Sequence, residues 1–425
     1  MKNFKDSGIE WLGEIPEHWQ IVPIRYCFNE FNVRCNDNNY PLLSVTIANG
    51  VVYQNDITNK KDTSNDDKSS YKIVPIGAIA YNKMRMWQSA VGINMLEKGI
   101  VSPAYVVAIP NKQINISFSY YLLKSKNMIS EYEKYSYGLC SDMNNLRYED
   151  FQNIKIPLPP LKEQEQIANF LDEKCEQIAN FIEKKEKLIN LLKEQKQALI
   201  NETITKGLDK NVNFKDSGIE WLGEIPQHWR IVKFKYVAFT NIGLVYSPDD
   251  IVENSDEGYP VLRANNIQNG KIDYQDLIYI KSKQIGKKQI ISSGDLLMCV
   301  RNGSENLLGK TAKIQDGYFS FGAFTTIIKS QFNDYFYWIF QTNMLRKSIA
   351  SFSASNGIGQ ISQDDIKNFI ISFPPLKEQE QIAKFLDEKC EKIDLLIEKT
   401  EKQIELIKEY KTILINQAVC GRIDL

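Results

Sequence analysis

Two long stretches of the chain repeat apolar side chains at heptad spacing. After Pro159-Pro160 the apolar positions follow intervals of 4, 4, 3, 4, 7, 3 and 7, and the same intervals recur after Pro374-Pro375. This is the a/d seam of a coiled coil. Glycines stand beyond both patterns, as helix stop signals do. The sequence therefore predicts two long helices that end near Gly207 and Gly421. The seam positions are Ile167, Leu171, Cys175, Ile178, Ile182, Ile189, Leu192 and Leu199, then Ile382, Leu386, Cys390, Ile393, Ile397, Ile404, Ile407 and Leu414.

Neither helix can bury this seam alone, so we expect each to be the other's partner. An antiparallel pair within the chain would form a rod of about 65 Å, with one globular domain at each end, related by a pseudo-twofold axis. The alternative is a coiled coil between two molecules. Cys175 and Cys390 occupy equivalent seam positions, and we expect core thiols there. Polar seam positions disfavour slips of register; they are Lys185, Lys196, Thr400 and Lys411.

The chain is a tandem repeat. Residues 4–26 and 214–236 are identical at 18 of 23 positions, and residues 159–209 and 374–424 at 32 of 51. The long segments between these blocks hardly align, apart from short matches such as YPLL and YPVL before an Asn-Gly turn. We therefore expect one fold carrying two different surfaces.

The variable segments are predicted to be mainly β, because short apolar runs alternate with glycine, proline and Asn-Gly turns. Such runs cover 76–81, 105–109 and 295–300, with short helices near 117–134 and 334–351. The fold class is α+β, with two similar mixed domains and two long antiparallel coiled-coil helices. The predicted boundaries are 1–158 and 210–373 for the globular domains, and 159–209 and 374–425 for the helices.

Composition and motifs limit the kinds of function that the chain can have. The chain has 425 residues, 43% hydrophobic and 25% charged, and a net charge of −1. Its small basic excess lies in the two variable segments, which is weak support for contact with DNA. No apolar run is long enough to span a membrane, the opening residues do not predict a signal peptide, and the sequence has no CxxC pair or phosphate loop. We expect a cytoplasmic protein with no catalytic residue and no metal site of its own.

Several motifs resemble those of the specificity subunit of type I restriction–modification systems, and the resemblance covers nearly the whole chain. The sequences GEIPEHW and GEIPQHW precede the variable segments, and PPLKEQEQIA opens each long helix. Inside the variable segments, YNKMRMW at 81–87 and VRNGS at 300–304 with LGKT at 308–311 look like the family's strand-and-loop signatures.

The resemblance implies a recognition subunit without catalysis of its own. Each variable domain would read one half of a bipartite site in double-stranded DNA, and the helices would set the gap and hold two methyltransferase subunits. Those partners would bring S-adenosylmethionine, and two restriction subunits would use ATP and magnesium. An alternative is a coiled-coil scaffold that bridges two protein partners and binds no DNA. A self-contained enzyme is disfavoured, because cofactor motifs are missing.

Side chains suited to base or phosphate contacts occur in and near these loops. Arginine and lysine can engage guanine or phosphate, and asparagine and glutamine can pair with adenine. For Trp87, stacking on a base competes with a core position, which we favour. The candidates are Lys83, Arg85, Trp87, Gln88, Asn144, Asn145 and Arg147 in the first domain, and Arg301, Asn302, Ser304, Lys310, Asn356 and Gln360 in the second.

A second set lies in the shared blocks, at the GEIPxHW motifs and the first turn of each long helix. These residues are candidates for docking the partner subunits, with structural capping as the competing interpretation. They are Trp19, Glu163, Gln164, Trp229, Glu378 and Gln379.

Lengthening the predicted rod gives a direct test. Four residues inserted into each helix add roughly 6 Å, so the non-specific gap should grow by about one or two base pairs, at about 3.4 Å each, while both half-sites stay the same. Sequencing of methylated sites measures both quantities. Altered half-sites with an unchanged gap would contradict the ruler model.

Overall fold

The computed structural model describes residues 3–35, 40–57, 68–137, 144–301, 308–315, 317–344, 348 and 360–425. The chain forms two compact units. Unit 1 comprises residues 1–186 and 401–425, and unit 2 comprises residues 187–400. Each unit therefore holds one variable segment, the beginning of one long helix and the end of the other.

Unit 1 contains twelve strands and three short helices in its described residues. The strands are β1 (Phe4–Asp6), β2 (Glu14–Pro16), β3 (Gln20–Pro23), β4 (Phe28–Glu30), β5 (Leu43–Thr46), β6 (Gly50–Tyr53), β7 (Lys72–Val74), β8 (Ile79–Asn82), β9 (Val91–Ile93), β10 (Gly99–Val101), β11 (Tyr105–Pro110) and β12 (Lys155–Leu158). The helices are α1 (Ile116–Lys124), α2 (Lys126–Tyr135) and α3 (Tyr148–Phe151). Ser125 is extended and separates α1 from α2 within the region predicted to be helical.

Unit 2 contains fourteen strands and two short helices in the part that the structure describes. The strands are β13 (Phe214–Asp216), β14 (Glu224–Pro226), β15 (Arg230–Lys233), β16 (Phe239–Ile242), β17 (Ile251–Val252), β18 (Gly258–Leu262), β19 (Ile267–Gln268), β20 (Lys271–Ile272), β21 (Ile278–Lys281), β22 (Leu296–Cys299), β23 (Thr311–Lys313), β24 (Ser320–Phe321), β25 (Thr325–Lys329) and β26 (Ile370–Phe373). The short helices are α5 (Asn333–Gln341) and α6 (Gln363–Asn368). The predicted helix near 334–351 includes residues 345–347 and 349–351, which lie outside the described residues.

Each unit has its own central four-stranded sheet, and the two sheets have the same strand order. Unit 1 has the order β4-β11-β8-β9 and unit 2 the order β16-β25-β22-β23, antiparallel throughout. In both units a helix follows the strand next to the edge, α1 after β11 and α5 after β25. The prediction of one fold in two poorly aligned segments is confirmed.

The units differ in their additional strands. Unit 1 carries the hairpin β5-β6 and the pair β7-β10. Unit 2 instead carries a mixed sheet, β17-β21-β18-β24, in which β18 and β24 run parallel. The predicted Asn269-Gly270 turn connects β19 to β20, with Asn269 at φ 50° and Gly270 at φ 78°. The variable surface is therefore built beside a constant sheet.

The predicted long helices are present as α4 (Leu161–Lys206) and α7 (Leu376–Val419). In unit 1 the beginning of α4, with Ile167 and Leu171, shares a core with the end of α7, with Leu414 and Ala418. In unit 2 the end of α4, with Ile200 and Ile204, shares a core with the beginning of α7. Both arrangements are those of an antiparallel pair, as the heptad pattern predicts.

The helix seam also contains a polar position with an ionic partner and two cysteine thiols. Lys196 donates to both carboxylate oxygens of Asp394 at 2.6 and 2.7 Å, which gives one polar heptad position an ionic partner. Burial raises the pKa of the Cys390 thiol to about 11, and it also raises the pKa of Cys175. The prediction of a core thiol is confirmed for Cys390, whereas Cys175 is only partly buried and packs against the edge of the core.

Residues 4–26 and 214–236 are the two copies of the repeated sequence block that begins each unit's globular part, and we call each copy the N-terminal block. In each unit a buried tryptophan attaches this block to a long helix. Trp19 is 1% exposed, and its indole N–H donates to Glu163 Oε2 at 2.9 Å, while the other carboxylate oxygen lies 2.6 Å from His18 Nε2. Unit 2 repeats this arrangement with Trp229 and Glu378 at 2.8 Å. We call these two arrangements the tryptophan clamps.

The end of the other long helix closes each clamp. Gly421, just after α7, has φ 75°, and a Cβ there would lie 2.6 Å from Pro16 and 3.0 Å from the Trp19 ring. Gly207, just after α4, has φ 72° and meets Trp229 in the same way, at 3.0 Å. Only glycine combines this backbone conformation with so close an approach. Each clamp therefore joins a helix start, a helix end and the N-terminal block.

Removing the carboxylate should weaken a clamp measurably. In Glu163→Ala the Trp19 N–H loses its acceptor while the ring stays buried, so we expect the free energy of unfolding to fall by about 1–3 kcal/mol. Chemical denaturation measures the loss. Glu165→Ala is the matched control, because that side chain is exposed on the same helical turn. Equal losses in the two variants would contradict the role given to Glu163.

Candidate nucleic-acid interface

The first-domain candidates lie on a turn that follows the central strand β8. The Asn82 side chain accepts from the Met84 backbone N–H at 3.0 Å, and its carbonyl accepts from that of Arg85, also at 3.0 Å. The turn ends in a short 3-10 helix, Met86–Gln88, and Ser89 then takes a left-handed conformation at φ 65°. This local bonding leaves the Arg85 and Gln88 side chains exposed.

Trp87 does not belong to the core, and here our sequence interpretation was wrong. The fully buried side chain of the turn is Met86, at 0% exposure. Trp87 is only partly buried, and its indole N–H donates to the Met84 carbonyl at 3.0 Å. The Trp87 ring therefore stabilises the turn, and part of the ring remains accessible to solvent.

The structure places the second group of candidates beside the first. The Leu146 backbone N–H donates to the Lys83 carbonyl at 2.9 Å, which brings residues 144–147 against the turn. Arg147 is exposed at the N-terminus of α3, and Asn144 and Asn145 are half-buried. Two segments that are more than 60 positions apart in the sequence thus form one polar surface.

Two basic residues that the sequence interpretation missed adjoin this surface. Arg34 and Lys72 face each other in an isolated antiparallel bridge. Burial lowers the pKa of the Lys72 ammonium, the Glu30 carboxylate opposes the shift, and the charges of Lys83 and Arg34 add to it. The cluster is therefore of mixed charge, because the Glu149 carboxylate also raises the pKa of Lys72. The proximity of these residues depends on long-range pairing, which no local motif signals.

In the second domain, Arg301 follows the equivalent central strand β22. It is exposed, its guanidinium carbon lies 5.4 Å from the centre of the Phe324 ring, and its backbone forms a bridge with that of Gln360. Lys310 is half-buried, and its carbonyl accepts from the Cys299 N–H at 2.8 Å. The structure thus brings Arg301 and Gln360 together. Asn302, Ser304 and Asn356 lie outside the described residues.

A cleft of about 550 Å³, which no sequence motif indicates, opens next to Arg301. Its walls include Val245, Arg263, Asn265 and Phe324. Phe324 joins the cleft to Arg301, because the Val300 N–H donates to the Phe324 carbonyl at 2.9 Å. The cleft lies where β16 continues into the variable part of unit 2.

A lysine-rich loop lies near the cleft. The sequence KSKQIGKK places four lysines within residues 281–288, with no acidic residue among them. Lys283, Lys287 and Lys288 are exposed and have no acidic partner among the described residues. The Asn241 side chain donates to the Lys288 carbonyl at 3.0 Å. Asn241 is three residue steps, about 10 Å of extended chain, from Leu244 at the cleft.

The proposed docking residues are mostly internal, which corrects our interpretation of them. Trp19, Gln164, Trp229 and Gln379 are at most 2% exposed, so none of these side chains offers a surface to a partner. Gln164 accepts from the Asn115 N–H at 2.7 Å and donates to the Pro159 carbonyl at 2.8 Å. Buried amides with such partners cap the start of the helix. Glu163 and Glu378 are partly exposed, and their docking role stays a prediction.

The described residues show neither a metal site nor a membrane-spanning helix. They contain no cluster of three or more histidine, cysteine or acidic side chains placed to hold a metal ion. Among the same residues, no helix is both long and apolar enough to cross a bilayer.

Comparison with known proteins identifies the family. The model of the type I restriction modification DNA specificity domain matches residues 20–194 and again residues 226–406. The two matches follow the tandem repeat and together cover most of the chain.

Individual relatives carry the corresponding names. The chain is 27% identical to the type I restriction enzyme MjaVIII specificity subunit of Methanocaldococcus jannaschii, over 99% of this chain and 96% of that one. It is 29% identical to the EcoKI specificity subunit of Escherichia coli K12, but that alignment spans only 47% of this chain and 44% of the relative.

Solved structures have the same fold. A chain from a study of the assembly and conformational transition of a type I R-M system matches with a TM-score of 0.75 at 16% identity, over 96% of this chain and 99% of that one. The HsdS subunit from Thermoanaerobacter tengcongensis matches with a TM-score of 0.57, also at 16% identity, over 96% and 98%. The chain therefore belongs to the family of type I restriction–modification DNA specificity domains, and it carries the family's domain twice.

Proposed function

We propose that this chain reads a bipartite DNA sequence, with one half-site for each globular domain. The observation that carries the proposal is the repeated sheet with different loops at equivalent positions. Arg85 follows β8 and Arg301 follows β22, and both side chains are exposed. Exposed arginine on loops set by a rigid sheet suits contact with base edges and phosphates.

The catalytic steps belong, in this proposal, to partner subunits. Two modification subunits would bind S-adenosylmethionine and methylate adenine, and two restriction subunits would use ATP and magnesium to translocate and cleave DNA. The complex would work in the cytoplasm, where it meets DNA.

Exposed apolar side chains on the long helices suit the modification subunits better than the buried residues of the clamps. In unit 1, Leu406, Tyr410 and Ile413 of α7 are each at least 50% exposed. Their spacings of four and three residues put them on one helical face. In unit 2, Leu191 of α4 and Leu396 of α7 are 54% and 52% exposed. Apolar stripes of this kind typically mark protein interfaces.

Genome-wide mapping of methyladenine tests the proposal. Cells that express the chain with a modification partner should methylate a split motif with two different halves, and cells that express the partner alone should not. Methylation of an unsplit motif, or the same pattern without this chain, would refute the assignment.

The lysine-rich loop should contribute to DNA affinity without contributing to specificity. Each phosphate contact changes the slope of log K against log salt by about 0.9, so Lys283→Gln, Lys287→Gln and Lys288→Gln together should reduce the slope by up to about 2.7. Titrations of the chain with its modification partner, at several salt concentrations, measure it.

The control removes equal charge elsewhere in unit 2, at the exposed residues Lys233, Lys235 and Lys367. We expect the slope to change only with the loop variant, and the preferred sequence to change with neither. An equal change in both variants would mean that the loop makes no phosphate contact.

A further inference from the structure

The cleft of unit 2 combines apolar walls with directed hydrogen-bond donors. Val245 and Phe324 are 83% and 56% exposed and line the same cleft, so they form an accessible apolar wall. Arg263 and Asn265 line the same cleft. Apolar surface beside a few fixed polar groups is typical of a recognition site.

A single carboxylate orients the two polar side chains. Asp276 Oδ2 accepts from Arg263 Nη2 at 2.9 Å and from Asn265 Nδ2 at 2.8 Å. Among the described residues, Asp276 is the only acceptor for the Arg263 guanidinium. The Nη1 donors thus remain available, as do the Asn265 side-chain oxygen and one of its two amide hydrogens.

A buried asparagine fixes the backbone that carries this carboxylate. Asn266 is 2% exposed, and its amide donates to the carbonyls of Asp273 and Asp276 at 2.9 and 3.0 Å. Its side-chain oxygen accepts from the Arg263 backbone N–H at 2.8 Å. One internal side chain therefore ties the backbone that carries Arg263 to the backbone that carries Asp276. Such support preorganises the donors before any ligand arrives.

A merely structural ion pair would not require this arrangement. Asp276 is 71% exposed, so its pair with Arg263 is of the kind that contributes little to stability. The chain nevertheless devotes a buried amide to holding both partners in register. Arg301, stacked on Phe324 beside the cleft, adds a second exposed guanidinium.

We propose that Arg263 and Asn265, oriented by Asp276, form the base-reading site of the second domain and bind purine edges in the major groove. Arg263 addresses guanine O6 and N7, and Asn265 addresses a neighbouring adenine. The apolar wall formed by Val245 and Phe324 is suited to a thymine methyl group. Asp276 is a positioning residue, because it acts through the two side chains that it holds. The inference rests on the proposed function and adds the residues that set the second half-site.

The test measures which base pair each variant tolerates. The full chain, with its modification partner, is used to methylate a library in which every position of both half-sites is randomised. Arg263→Ala should lose about 10- to 100-fold discrimination at one G·C position of the second half-site. Asp276→Ala should lose less, but at the same position, and the first half-site should be unchanged in both variants.

Arg230→Ala is the matched control, because it also removes one guanidinium group. The Arg230 guanidinium stacks on Phe373 in the small β15-β26 sheet. This variant should leave every base preference unchanged. If Arg263→Ala lowers methylation equally for all sequences, the residue contacts phosphate and the inference is wrong; unchanged preferences would also overturn it. If the unaltered chain itself directs no split motif, the proposed function fails instead. Thermal unfolding of each variant identifies a loss that arises from misfolding.

Discussion

The tryptophan clamps are the constraint on which the rest of the structure depends. The indole N–H groups of Trp19 and Trp229 are held by an acceptor, and in each unit that acceptor is the carboxylate in the first turn of a long helix. The terminal glycine of the other helix packs against the same ring. Because three elements meet at one side chain, the position of the globular domain on the helix pair follows from a few short contacts. The clamp residues are duplicated in the sequence, and their geometry is duplicated in the structure.

A constant frame of this kind allows the reading surfaces to differ. The four-stranded sheets have the same order in both units, whereas the strands beside them do not. Loops that leave equivalent strands can therefore carry different side chains without altering the core. In unit 1 these loops gather Lys83, Arg147 and the Arg34–Lys72 bridge, and in unit 2 they surround a cleft. Recognition of two unlike half-sites by one architecture needs this separation of frame from surface.

The features that the sequence predicted well are periodic or repeated. The heptad seam and its terminal glycines identified both long helices, and short apolar runs identified β8, β11 and β22. Features that depend on contacts between distant residues could not be predicted in this way. In the 81–89 turn, nothing local indicated that Met86 rather than Trp87 points inward. Gln164 and Gln379 looked like surface amides, because burial of a polar side chain depends on acceptors elsewhere in the fold. The Asp276 network likewise joins two separate turns, so no local motif indicates it. The lysines at 281–288 are different, because they are visible in the sequence. Summing the charge over the whole variable segment obscured them.

The central claim is that each variable segment is a self-contained reader held in an identical frame. The frame has equivalent junctions: Ile24 N–H donates to the Ile154 carbonyl at 2.9 Å, and Phe234 N–H donates to the Phe369 carbonyl at 2.8 Å. The most direct measurement is the methylation motif of a chain in which residues 235–368 replace residues 25–153. The account predicts a split site in which the second half-site occurs twice, as an inverted repeat. A folded chain that kept the original asymmetric motif, or that directed no split motif while the parent chain did, would contradict it.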